Sequence, residues 1–119
     1  MNITPEATRD LVVEALEDVK GFDIKTLDVR GMTSMTDWLV LASGTSNRQV
    51  SALARKVHDM AKAEGLDMLG MEGEKEGEWV LIDLNDVVVH VMQPRIRDFY
   101  QLEKLWSESA EGQRTASSS

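Results

Sequence analysis

The chain has 119 residues, 42% of them hydrophobic, 29% charged and 5% aromatic, enough for one domain that builds its own core. It contains no cysteine, which excludes disulfides, thiolate zinc sites and cysteine nucleophiles together. Thirteen Lys and Arg against 21 Asp and Glu give a net charge of −8, a field that repels phosphate backbones and favours a basic partner.

No apolar run approaches the roughly 20 residues of a membrane span. The N-terminal MNITPEATRD fits neither a signal peptide nor a transit peptide, so a cytoplasmic protein is expected.

In chain order, Thr4 is placed to cap a first helix, with Pro5 at its first position and Gly21 as a left-handed stop. Leu11, Val12, Ala15, Leu16 and Val19 form its apolar stripe. Ile24, Leu27 and Val29 mark a strand that ends by Gly31. The continuous apolar run Trp38 to Ala42 marks a strand covered on both faces.

Gly44 turns the chain into a second helix that opens near Ser46. Val50, Leu53, Ala54, Val57, Met60 and Ala61 hold its period, and Gly65 ends it. Met68 to Met71 suggests a short third strand. Two β-rich runs, 79–82 and 87–92, flank a turn at Leu84-Asn85 and read as a hairpin closed by Pro94. Phe99, Leu102, Leu105 and Trp106 belong to a last helix, and the tail 108–119 has nothing to bury and is expected to be disordered. The order predicts a single α/β domain over 1–107, a mixed five-stranded sheet with flanking helices.

The charge is concentrated. Between Asp67 and Asp86 lie seven acids against Lys75 alone, so this stretch carries six of the eight net negative charges. Taken alone it reads as a solvated sheet edge that resists edge pairing. The hairpin beside it adds a second reading. A turn centred on Leu84-Asn85 sets Trp79 opposite His90 and Leu81 opposite Val88, with Val80, Ile82, Val87, Val89 and Val91 on one core face. The other face carries Trp79, Leu81, Val88, His90 and Met92, with Asp83 and Asp86 near the turn. It is either an interface patch or a surface that a helix covers. A three-residue turn would mix the two faces.

Catalytic signals are sparse. Glu72, Glu74, Glu76 and Glu78 supply like charges without an acid/base pair of distinct environments, and their spacing matches no calcium loop. His58 reads as a surface residue and His90 as a hydrogen-bonded structural one. Gly44-Thr45-Ser46 is either an anion cradle at a helix start or a turn with its N-cap. No metal or cofactor is expected.

One ordered series of motifs is more specific. Asp37-Trp38 leads into an apolar strand, and Ser43-Gly44-Thr45-Ser46 opens a helix. Glu72-Gly73, Glu78-Trp79-Val80-Leu81-Ile82-Asp83 and Asp86-Val87-Val88-Val89-His90-Val91-Met92 follow, then Phe99-Tyr100, Leu102-Glu103 and Leu105-Trp106. From about residue 8 to 107 the chain resembles the ribosomal silencing factor family, also called Iojap-like proteins. The resemblance implies a fold similar to a nucleotidyltransferase core, although no Asp-x-Asp metal pair occurs in the sequence. It implies no enzymatic activity. It implies instead a protein that binds the large ribosomal subunit through its ribosomal protein fourteen, blocks joining of the small subunit and represses translation when nutrients are short.

By the same resemblance Trp79 is a contact residue, with acidic Glu72, Asp83 and Asp86 beside it. Leu81, His90 and Met92 join them from the hairpin pattern. Asn85 stands where the family often has Gly, a role a left-handed Asn fills. An exposed apolar face is also open to homodimerisation.

Overall fold

The computed structural model describes residues 3–100, with side chains described for 3–98. The elements run α1 (Pro5–Asp18), β1 (Phe22–Asp28), β2 (Trp38–Ser43), α2 (Asn47–Ala63), β3 (Gly70–Glu72), β4 (Trp79–Asp83), β5 (Val87–Met92) and α3 (Pro94–Tyr100). Leu102, Leu105, Trp106 and the tail 108–119 lie outside the described residues.

Local chemistry sets the helix ends. The Thr4 hydroxyl accepts from the Ala7 N–H at 3.0 Å, and Pro5 occupies the first position, where a missing N–H costs nothing. At the other end the Lys20 N–H donates to Glu17 O and the Gly21 N–H to Leu16 O, the paired bonds of a Schellman stop. The expected roles shift by one residue here. Lys20, at φ +64°, is the left-handed residue, and Gly21 is not. Gly21 serves close packing instead, since a Cβ there would lie 3.0 Å from a Leu53 methyl and 3.1 Å from Leu16 O.

α2 closes as its sequence predicts. Gly65, at φ +68°, donates to Lys62 O, and Leu66 donates to Ala61 O.

The five strands form one sheet in the order β1-β2-β5-β4-β3. β2 and β5 pair in parallel, Trp38 with Val87 through Ser43 with Met92, while the other three pairings are antiparallel. β1 ends at Asp28, one residue short of the expected Val29, and a bulge between Phe22 and Lys25 interrupts its ladder. Ordinary alternation sends Ile24 to the main core and Leu27, three residues on, to the opposite face. β3 begins at Gly70, two residues later than Met68, because Leu66 and Met68 are drawn into the core as the chain leaves α2.

Both long helices pack on one face of the sheet. Val12 and Leu16 of α1 and Val50, Leu53 and Val57 of α2 close over Val40, Ala42, Val80, Ile82, Val87, Val89 and Val91, and all of them are fully buried. This inner face is aliphatic apart from Trp38 at one end, and hydrophobic burial there anchors the whole domain. At its lower end the Trp38 ring lies beneath the guanidinium groups of Arg9 and Arg30, at 4.3 and 5.3 Å from the ring centroid. Arg30 is held in turn by Asp28 at 2.7 Å and Glu6 at 3.0 Å.

The outer face has a smaller cluster of Val29, Leu39, Leu41 and Met92. Ile96 of α3 and Met32 of the β1–β2 loop pack against it and cover it in part. Arg97 fastens α3 there, its Nη1 donating to the buried Ser43 hydroxyl at 2.9 Å.

A left-handed backbone strains an L-residue by roughly 1 kcal/mol or more, and glycine removes that strain at some cost in chain entropy. Lys20→Gly should therefore raise the thermal midpoint by a few degrees. A lower midpoint in calorimetry would refute the assigned helix stop.

Candidate functional site

The hairpin turns over Asn85-Asp86, one residue later than the expected Leu84-Asn85. Asn85 adopts φ +72°, its N–H donates to Asp83 Oδ1 at 2.9 Å, and Leu84 N–H donates to Val87 O behind it. The register therefore moves by two. Trp79 lies opposite Met92, Leu81 opposite His90 and Asp83 opposite Val88. Because the shift is even, both faces keep the residues the sequence assigned to them.

Rows of side chains cross the outer face. One runs Lys25, Leu41, His90, Leu81 and Glu72, and another runs Leu27, Leu39, Val88 and Asp83. Trp79, Leu81, Val88 and His90 are half-buried, and Glu72 and Glu78 are exposed at the margin. The result is an apolar strip with carboxylates along its β3–β4 side.

Trp79 and His90 are diagonal neighbours across the two strands. The indole Nε1–H donates to His90 Nδ1 at 3.0 Å, with ring centroids 5.9 Å apart and planes tilted by 47°. Leu41 and Leu81 are the cross-strand partners of His90 on either side, and burial among them pulls its pKa down to about 4. The imidazole is therefore neutral near pH 7, and Nδ1 is free to accept the indole proton.

The acidic loop beyond β3 is pinned by two glycines. Gly73, at φ +86°, passes so close to β4 that a Cβ would fall 2.1 Å from Trp79 O. Gly77, at φ +70°, rests against Asn47 O and the Ser51 hydroxyl of α2, and that hydroxyl donates to Glu74 O at 3.0 Å. Glu74, Lys75 and Glu76 are left exposed at the tip.

A profile of the family described as "Ribosomal silencing factor during starvation" matches residues 2–119. The chain belongs to this family. The protein named "Ribosomal silencing factor RsfS" of Chromobacterium violaceum is 53% identical over 96 residues, spanning 81% of this chain and 79% of its own. The protein of the same name from Haemophilus influenzae is 43% identical over 98 residues, 82% of this chain and 96% of its own. A crystal structure of a Chromobacterium violaceum protein superposes with a TM-score of 0.87 at 48% identity, covering 88% of each chain. A mouse protein named "Mitochondrial assembly of ribosomal large subunit protein 1" is 32% identical over 101 residues, 82% of this chain and 44% of its own length.

Within this silencing-factor fold, Trp79, Leu81, His90, Asp83 and Glu72 share the outer face. Two residues grouped with them in the sequence are placed differently. Met92 is 0% exposed, packed with Val29, Leu39 and Leu41, so it supports the face from beneath and offers no surface to a partner. Asp86 sits at the hairpin tip, where its carbonyl accepts from Asp37 and Trp38 N–H. It also lines a cleft of about 370 Å³ with Ile3, Thr8, Gly65, Leu66 and Asp67, which places it off the strip.

Gly44-Thr45-Ser46 resolves as a cap. Ser46 accepts from the Gln49 N–H at 3.1 Å, while Gln49 Oε1 takes the Thr45 N–H and its Nε2 donates to Val19 and Lys20 carbonyls. Among the described residues no three His, Asp or Glu side chains converge as a metal site, and no helix is long and apolar enough to cross a membrane.

Two expectations follow from the geometry. Outside a fold an imidazole takes up a proton near pH 6.5, and His90 in place resists it down to about pH 4. The unfolded chain thus binds that proton first on acidification. The stabilisation is complete above pH 6.5 and is lost as pH falls toward 4, a change on the order of 3 kcal/mol. His90→Phe should flatten the midpoint-versus-pH curve in that window; parallel curves would show that His90 is not the group responsible. Gly73→Ala forces a Cβ onto Trp79 O and a left-handed backbone onto alanine, so it should cost about 2 kcal/mol or more in denaturant unfolding. An unchanged midpoint would contradict the close approach of this loop to β4.

Proposed function

We propose that this protein silences the ribosome by docking its outer sheet face on a basic protein of the large subunit, ribosomal protein fourteen. Bound at the joining face, it excludes the small subunit and damps translation when nutrients are short. Membership of the silencing-factor family supports the ribosome as target, and the name of the mouse relative supports the large subunit. The observation that carries the docking reading is the half-buried Trp79 on an apolar strip edged by Glu72, Glu78 and Asp83.

A large amphipathic ring on such a strip is the kind of side chain that dominates binding energy. Carboxylates around it act mainly on orientation and encounter rate with a basic surface. The reading requires no bond making or breaking. Steric exclusion works once affinity and concentration exceed those of the competing subunit, in a cytoplasmic setting where both are present.

Cosedimentation with purified large subunits tests the proposal. Wild type should pellet with them at low-micromolar concentration, and Trp79→Ala should weaken binding by about 2 kcal/mol or more, roughly 30-fold. Wild type left in the supernatant at moderate salt would rule the proposal out.

A further inference from the structure

We infer that His90 is the positioning residue of the docking face, fixing the Trp79 indole through its Nδ1 in the orientation that meets the partner. The inference rests on the docking role proposed for Trp79 and adds the device that holds it ready.

Trp79 needs such a device because of where it lies. It is the first residue of β4, directly after the Gly77-Glu78 turn out of the acidic loop, and its ring is only half-buried. An indole at a strand end has two torsions to settle, and ordering them only on binding would weaken the complex. The geometry settles them beforehand. The Nε1–H is directed to His90 Nδ1 at 3.0 Å, and the tilted imidazole 5.9 Å away packs against the ring.

His90 is itself well placed to hold still. It lies in the middle of β5, paired to β2 on one side and β4 on the other, with Leu41 and Leu81 as its cross-strand neighbours. The charged groups nearest along that row are Glu72 and Lys25, at the sheet's two edge strands. The same flanking leucines keep the ring neutral, and a neutral ring is required because a protonated Nδ1 would be a second donor facing the indole N–H.

This arrangement separates two roles within one pair. Trp79 presents apolar area to the partner, while the indole proton, which would otherwise have to find an acceptor in the interface, is already bonded within the protein. The partner's surface then needs only to accommodate a ring.

The inference is tested by a double-mutant cycle read by binding to large ribosomal subunits, with thermal midpoints recorded for each variant. His90→Phe keeps an aromatic ring and removes the acceptor, and should weaken binding about five- to tenfold. His90→Asn places an oxygen near the Nδ1 position and should recover part of the loss. In a Trp79→Phe background, which has no indole proton, His90→Phe should have no further effect. An equal loss in that background would show that His90 touches the partner itself and would overturn the positioning role; so would wild-type binding by His90→Phe.

The indole N–H resonance of Trp79, identified by its absence in Trp79→Phe, should move and broaden in His90→Phe free in solution. That readout needs no ribosome. If wild type failed to pellet, the docking proposal would fall, and the resonance would still show whether His90 orders the ring; an unmoved resonance overturns the inference by itself.

Discussion

A left-handed residue, Asn85, sits at the tip of the β4–β5 hairpin, and the pairing of every residue behind it is counted from there. Its N–H is taken by Asp83 Oδ1, which fixes a two-residue turn over Asn85-Asp86. A turn one residue earlier would set Trp79 directly opposite His90. The turn as it stands makes them diagonal neighbours, close enough for the indole to bond the imidazole. The inner face depends on the same count, since Val80 must meet Val91 and Ile82 must meet Val89 for both helices to close on a continuous aliphatic surface.

The inner face is uniform, and the outer one is mixed. Burial of the aliphatic face supplies most of the core, and the outer face combines a smaller buried cluster with half-buried polar and aromatic residues. Ile96 and Met32 cover it toward β2, and Trp79, Leu81, Val88 and His90 remain half-buried, so it is neither a second core nor an ordinary solvated surface. The net charge of −8 reads differently beside it. Six of the eight net charges lie between Asp67 and Asp86, and two glycines bring the β3–β4 loop within that stretch back against β4 and α2. The loop acids are thereby held at the end of the sheet between β4 and α2, while Glu72 and Asp83 share the outer face with Trp79.

Much of this was legible in the sequence because it depends on local rules. Thr4, Ser46 and Gly65 are where capping chemistry puts them, and the alternation within the strands 79–83 and 87–92 assigned each residue to its correct face. The misses have physical causes. Gly21 was read as the left-handed stop because glycine usually takes that role, but Lys20 takes it, and Gly21 is required by the approach of Leu53. The hairpin register slipped by two because strand patterning fixes parity and leaves the turn to choose among registers of equal parity. Met92 looked like part of a surface because its burial under Val29 and α3 is a long-range packing fact. The sequence set Trp79 beside His90 and read His90 as hydrogen-bonded, but the diagonal geometry of their bond depends on the register and was missed with it. Arg97 carried no signal at all, because its burial depends on partners such as the Ser43 hydroxyl, which are distant in sequence.

The parallel pairing of β2 with β5 bears on how the face comes into being. Trp38 pairs with Val87, and all of α2, β3 and β4 lies between them in the chain. Contacts this distant in sequence require a large loop to close before they return any energy, which makes folding slower than in a helical bundle of similar length. During synthesis, α1, β1, β2 and α2 emerge first and have no central strand to close against. His90 lies on the strand that supplies it, so a half-made chain has neither a completed core nor an ordered Trp79. The surface proposed to meet the ribosome therefore exists only on a chain that has already folded.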